Sequence, residues 1–241
     1  MVLTGAGFSA ESGVPTFRGP GGLWEGSRPE DLATLEAFAR DPERVWRWYA
    51  WRRDLVDGAV PHAGHGALVV WETRAPALRI VTQNVDRLHQ KAGSRSVVEL
   101  HGNLVEALCT SDGRIVADWR EAAQRPPRCP CGALLRPRVV WFGEVLPTGV
   151  MEEAAACILD ADLLVVAGTS AVVAPASLLP GLARLHGIPI LVVNPAETPL
   201  SSIATVRVAS AAGTAFAHLL GQGDGTSESR RGSPEERPSR P

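Results

Sequence analysis

Apolar residues in this chain gather in short runs, most of them closed by glycine or by polar residues. The clearest runs are residues 1–3, 78–82, 97–100, 163–167 and 189–193, with a shorter one at 205–208. The two continuous ones, 163–167 and 189–193, suit strands buried on both faces, and the others read as short β-rich strands. Between the runs lie segments of helical character: 29–57, 62–73, 150–160, 176–186 and a last one ending near residue 220. The first has clear punctuation, with Asp41 as N-cap, Pro42 at the first helical position and Asp57-Gly58 as a stop. Strands alternating with helices predict an α/β fold built on a doubly wound, Rossmann-like parallel sheet. Two stretches leave that rhythm, a helical one at 25–77 and a cysteine-bearing one at 104–138. The expected division is therefore a large domain from 1–24, 78–103 and 139–220, and a small domain from the two insertions. Residues 221–241 carry no apolar face and read as a disordered tail.

Composition narrows the possibilities. The 241 residues are 45% hydrophobic, enough for a sizeable core, and the net charge is −2. That balance argues against bulk electrostatic binding to nucleic acid or to an acidic membrane. No run is long enough to span a bilayer and no signal peptide precedes the first glycine. A soluble, cytoplasmic, monomeric protein is expected. The four cysteines, Cys109, Cys129, Cys131 and Cys157, then suggest metal ligands or core thiols rather than disulfides.

Candidate chemistry gathers where the runs end. Gly5 and Gly7 follow the first, and small residues with Glu11 lead into a helix start, a pattern that cradles phosphate. The usual dinucleotide fingerprint fails, because Ala10 stands where its third glycine belongs. The second run ends in Gln83-Asn84-Val85-Asp86, the third in His101-Gly102-Asn103, the fourth in Gly168-Thr169-Ser170 and the fifth in Asn194. In doubly wound sheets ligands sit at those strand ends. A histidine beside a glycine at a strand end is a better general-base candidate than one on a helix face. His62 and His65 read as a cap and a core contact. Gly19-Pro20-Gly21-Gly22 reads as a loop that orders on ligand binding. The helix with Trp46, Trp48, Tyr49 and Trp51 among its arginines reads, taken alone, as an aromatic core stripe; Tyr49 and Arg52, three apart, share a face.

Taken together these blocks resemble the sirtuin family, NAD-dependent protein lysine deacylases. The resemblance rests on Gly5-Ala6-Gly7-Phe8-Ser9-Ala10-Glu11-Ser12-Gly13-Val14-Pro15-Thr16-Phe17-Arg18, Thr82-Gln83-Asn84-Val85-Asp86-Arg87-Leu88-His89, Leu100-His101-Gly102-Asn103, Phe142-Gly143-Glu144, Gly168-Thr169-Ser170 and Val193-Asn194, in family order. It implies NAD as cofactor and acylated lysine-containing proteins or peptides as partners. By similarity, His101 is the catalytic base, with Asn84 and Asp86 in the catalytic set. The cofactor-binding residues would be Gly5, Ala6, Gly7, Ser9, Glu11, Thr16, Phe17, Arg18, Gln83, Asn84, Val85, Asp86, Gly168, Thr169, Ser170, Asn194 and Ala209. Nicotinamide would leave the ribose, the acyl oxygen would attack, and a ribose hydroxyl would lose its proton towards His101. Phe142, Gly143 and Glu144 would pair with an extended substrate peptide. Tyr49-x-x-Arg52 resembles the class III members, which accept acidic acyl groups, and Thr16 points the same way. A guanidinium holds a succinyl or malonyl carboxylate by two parallel hydrogen bonds.

The sequence also departs from the family pattern. Two Cys-x-x-Cys pairs are usual, but Cys109 lacks its partner and the second pair is Cys129-x-Cys131. Those three thiolates, with Asp112 or water, would hold zinc; the incomplete set weighs slightly towards a metal-free module. Only Met1 and Val2 precede Leu3-Thr4-Gly5, so either the first strand is short or the true start lies upstream. A succinyl- or malonyl-preferring deacylase with weaker deacetylase activity is expected. Its alternatives are a mono-ADP-ribosyltransferase, a non-catalytic NAD or ADP-ribose sensor, and a zinc-ribbon nucleic-acid module.

Overall fold

The computed structural model describes residues 1–17, 21–24, 26, 28–117, 119 and 124–219. Among the described residues nine strands form two sheets. The larger joins β1 (Val2–Thr4), β2 (Ile80–Thr82), β3 (Val97–Glu99), β7 (Leu164–Ala167), β8 (Ile190–Val193) and β9 (Val206–Val208) in the order β3-β2-β1-β7-β8-β9. Every pairing in it is parallel. This is the doubly wound arrangement, and strand order reverses between β1 and β7. A crevice at the strand tips belongs there.

The unbroken apolar runs have their physical reason in this sheet. Alternation sends Val2 and Leu3 to opposite faces, and both faces are covered. Leu3, Val81, Leu164 and Val166 pack with Ala154, Ile158, Leu179 and Ala183 from helices Val150–Leu159 and Leu179–Leu185. Val2, Ile80, Val165 and Val193 pack with Ala67 and Leu68 of helix Ala63–Arg74 and with Phe216 of helix Ala212–Leu219. Each large aliphatic side chain so buried contributes about 1.5–3 kcal/mol. Helix Ala63–Arg74 therefore covers the sheet. The first insertion, expected over 25–77, leaves the large domain only up to the end of the preceding helix.

The second sheet is antiparallel, with order β5-β4-β6 from β4 (Gly102–Cys109), β5 (Ile115–Val116) and β6 (Leu135–Val139). It packs with helices Leu35–Arg40 and Pro42–Gly58 around Phe38, Trp46, Tyr49, Leu104, Trp119 and Trp141. The long helix starts as its sequence dictates: Asp41 Oδ1 accepts from the Arg44 N–H at 2.9 Å, with Pro42 next in line. Trp46 is wholly buried, as a core stripe requires, whereas Trp51 on the opposite face is exposed. Arg53 stacks its guanidinium 4.2 Å from the Trp119 ring centroid, away from Arg52. None of the helices among the described residues is long and apolar enough to cross a membrane. Residues 220–241, which include the expected tail, lie outside the described residues, as do 18–20.

Candidate active site

The tips of β1 and β7 interlock. Gly7 N–H donates to Gly168 O at 2.8 Å, and Gly5 N–H donates to Ala167 O at 3.1 Å. A Cβ on Gly7 would stand 2.8 Å from Gly168 O, and one on Gly5 would stand 2.6 Å from the Thr169 Cβ. Gly168 has φ +62°, and a Cβ there would lie 2.2 Å from Phe8 N. These glycines serve a close crossing of two backbones. The helix after them spans only Ala6–Ser9 before a tighter turn, Ala10–Ser12, so a long helix dipole does not back the crevice.

Around this seam opens a cavity of about 750 Å³, walled by both domains. The large domain supplies Ala6, Gly7, Glu11, Thr16, Phe17, Gln83, Val85, His101, Gly168, Thr169, Ser170 and Asn194. The small domain supplies Tyr49 and Arg52, and the segment after β6 supplies Phe142, Gly143 and Glu144. A smaller pocket of about 20 Å³ adjoins it, lined by Ser9, Asn84 and Asp86 and sharing Ala6, Phe17, Val85 and Arg52. Gly5 stands behind the wall in the seam. Ala209 is not among the lining residues; Ala211, two positions on, is. Arg18 lies outside the described residues.

Hydrogen bonds fix the floor of the small pocket. Asn84 donates through Nδ2 to Gly5 O and to Ser9 Oγ, both at 3.0 Å. Ser9 Oγ donates to Asp86 Oδ2 at 2.7 Å, and Leu88 N–H donates to Asp86 Oδ1 at 2.9 Å. Burial pushes the Asp86 carboxyl pKa up, opposed by the Leu88 and Ser9 hydrogen bonds and the charge of Arg52. Beneath, Thr82 Oγ1 accepts from Thr4 Oγ1 at 2.8 Å and from the Asn84 N–H at 3.0 Å; His89 Nε2 meets Thr4 Oγ1 at 3.0 Å.

His101 follows β3 and precedes β4. Its Nδ1 lies 3.1 Å from Gln83 O. A carbonyl only accepts, so Nδ1 carries the proton and Nε2 keeps a lone pair. Burial lowers the imidazole pKa, partly offset by that same hydrogen bond. The result is a neutral ring of defined tautomer in the cavity wall, the state a general base requires.

Arg52 is 6% exposed and Tyr49 1%. The guanidinium carbon sits 5.0 Å from the Phe17 ring centroid, 4.8 Å from Trp48 and 5.4 Å from Tyr49. Tyr49 is also its hydrogen-bond partner, and burial lowers its pKa. The Tyr49 hydroxyl accepts from Trp141 Nε1 at 2.9 Å, and burial pushes its pKa up to about 12. Among the described residues no carboxylate pairs with Arg52, in contrast to Arg136. Arg136 holds Glu144 in a two-pronged pair at 2.7 and 2.6 Å. Glu144 Oε2 accepts from Trp141 N–H at 2.8 Å, so Glu144 shapes the loop around Gly143, whose φ is +86°.

Glu11 lines the cavity while its carboxylate accepts from Gly213 N–H at 2.6 Å, Thr214 N–H at 3.2 Å and Thr214 Oγ1 at 2.7 Å, capping helix Ala212–Leu219. Several wall residues gave no sequence signal. Ala33 is a small apolar residue ahead of a short helix, and Trp24 and Trp141 stand among residues with no chemical motif around them. Pro195, Glu197 and Thr198 follow Asn194, and only the Pro-x-x-Thr punctuation hinted at a loop there.

Away from the cavity, the sulfur atoms of Cys109, Cys129 and Cys131 converge within 4.8 Å of one another, Cys109 and Cys131 at 3.5 Å. Thiolates around a tetrahedral zinc stand about 3.8 Å apart, so the three fit such an ion. Asp112, the nearest carboxylate in sequence, accepts from the Arg114 backbone N–H at 2.9 Å and is also a hydrogen-bond partner of the Cys109 thiol.

Comparison with known proteins agrees with this geometry. Residues 5–175 match the Sir2 family model. An NAD-dependent protein deacylase of Pyrobaculum aerophilum is 48% identical over 221 residues, 91% of this chain and 89% of that one. A solved Sir2 homologue in complex with NAD superposes with a TM-score of 0.86 at 48% identity, over 91% of this chain and 86% of the other. A Sir2 structure holding a deacetylated p53 peptide and an acetyl ADP ribose gives a TM-score of 0.84 at 34% identity, over 92% of each chain. The chain belongs to the Sir2 family.

Proposed function

We propose that the protein is an NAD-dependent protein deacylase whose acyl pocket selects acidic groups, succinyl or malonyl, on lysine. The deacylase reading rests on the family and on the wall described above. When bound, NAD supplies an activated ribose carbon from which nicotinamide departs. The chain's own residues would do the rest. Asn84, with both amide hydrogens engaged, offers Oδ1 to a carboxamide N–H. Asp86, held by Ser9 and Leu88, fixes the small pocket. His101 Nε2 takes a proton from a hydroxyl. Phe17 and the closed seam exclude water from the reacting centre.

The acyl preference rests on a single observation: Arg52 is a buried cation, walled by three aromatic rings, that feels the charge of Asp86 but forms no ion pair with a carboxylate among the described residues. An unpaired buried charge is costly unless an anion answers it. A carboxylate at the end of a short acyl chain would answer it. Turnover of matched acetyl, malonyl and succinyl peptides tests the reading. Arg52→Met is expected to lower succinyl kcat/KM by about 10²–10⁴-fold, the worth of two charge-assisted hydrogen bonds, with acetyl turnover preserved. Equal succinyl turnover in both proteins would remove the acidic preference. ADP-ribosylated protein in place of free lysine and O-acyl-ADP-ribose would replace the deacylase reading with the transferase one. The cysteine trio would hold a structural zinc that ties β4 to the loop before β6, with the fourth position filled by water or by Asp112, already a partner of the Cys109 thiol.

A further inference from the structure

Lys91 is the only lysine in the 241-residue sequence; every other basic side chain that is permanently charged is arginine. It lies on helix Leu88–Ala92, immediately after the segment carrying Asn84 and Asp86. The residue is exposed, and its ammonium donates to Asp57 O at 3.0 Å and to Ala59 O at 2.6 Å. Those are carbonyls at the end of helix Pro42–Gly58, the helix that carries Tyr49 and Arg52. One cation thus caps the negative end of the acyl-pocket helix and ties it to the catalytic segment of the other domain. Arginine would make the same tie and resist acylation. At this junction alone the chain presents a side-chain amine.

We propose that Lys91 is an acylation site through which short-chain acyl thioesters loosen the contact between the two halves of the active site. The free-base Nζ attacks the thioester carbonyl; the N–C bond forms, the C–S bond breaks, and the leaving thiolate takes the proton lost from nitrogen. The resulting amide keeps one N–H and no charge, so the cap on Asp57 and Ala59 is lost. A succinyl group also brings a carboxylate to the negative helix end, which repels it. Succinylation should therefore loosen the junction more than acetylation. Removal of the group by other copies of the enzyme rests on the proposed deacylase activity.

The full chain, treated with succinyl-CoA or acetyl-CoA without NAD, tests this. Expected are a side-chain adduct at Lys91, faster amide hydrogen exchange at 57–59, and a fall in Tm of about 2–5 °C for acetyl and more for succinyl. Lys91→Arg should retain the native Tm and show neither change after the same treatment. An unmodified Lys91 under conditions that fully acylate a free lysine peptide, or an adduct with unchanged exchange and Tm, would overturn the proposal. Adding NAD and untreated enzyme should restore the mass and the Tm. If restoration fails and a succinyl peptide is not turned over either, the proposed function fails while the modification site stands.

Discussion

His101 shows how one hydrogen bond assigns a role. Donation from Nδ1 to Gln83 O leaves Nε2 as the only basic atom, and burial keeps the ring neutral below its ordinary pKa of about 6.5. Protonation abolishes the base, so activity rises with pH through the lowered pKa and is flat above it. The acid limb of kcat/KM is expected below pH ~6.5, and His101→Ala should lower kcat by about 10²–10⁴-fold. A limb at or above that pH, measured on a fixed acyl peptide, would contradict this account. His101 was legible as a base candidate because a histidine beside a glycine at a run's end stands where a doubly wound sheet meets its ligand. Gly5 and Gly7 were legible as close-approach residues, but not what they approach. A sequence cannot tell a ligand from a neighbouring strand tip, and here the partner is Gly168.

At the scale of the element, Glu11 closes the N-terminus of a helix some 200 residues away with three hydrogen bonds. Glu11→Ala leaves three donors without a partner, and a loss of about 2–3 kcal/mol is expected in denaturant unfolding. A loss below ~0.5 kcal/mol would mean water replaces the cap. Gly168→Ala should be more severe, because a positive φ and a 2.2 Å approach to Phe8 N both oppose it; failure to fold, or a loss above ~3 kcal/mol, is the expected result. The parallel strands and the long helix were legible from apolar runs and from the Asp41-Pro42 start. Strand β6 was not. Its Leu-Arg-Pro-Arg-Val alternation carries a proline opposite Ala107, and the pairing slips between Gly102 and Ala107. Proline and an irregular register erase the period-two signal that would have revealed it.

Across the molecule, acid stability should follow two buried imidazoles. Burial, then the neighbouring His89 and His62, push His65 down to about 2; burial, then His62, push His89 down to about 4. Both stay neutral in the folded chain while the unfolded chain protonates them near pH 6.5. Their stabilisation is thus present above that pH and is lost as pH falls towards 4, by about 1.4 kcal/mol per pH unit for each. Neither ring nitrogen of His65 has a hydrogen-bond partner among the described residues, so His65→Leu should be tolerated at neutral pH and should flatten the decline in Tm between pH 6.5 and 4; an unchanged decline would refute the assignment. Metal analysis is expected to find about one zinc per chain, lost in Cys129→Ser together with a lower Tm. The two-domain plan was legible from the two breaks in rhythm. The return of helix Ala63–Arg74 to the sheet was not, because its small and apolar residues form no one-sided stripe that would mark a covered face.

The interlocked glycines carry one more consequence. Strands β1 and β7 are sewn together at their tips by Gly5, Gly7 and Gly168 with no room for a methyl group, so the crevice has a rigid hinge line on that side. Entry and exit of anything as large as a dinucleotide must then come from yielding of the opposite rim, the helical lobe and the loop around Gly143, and never from parting of the sheet.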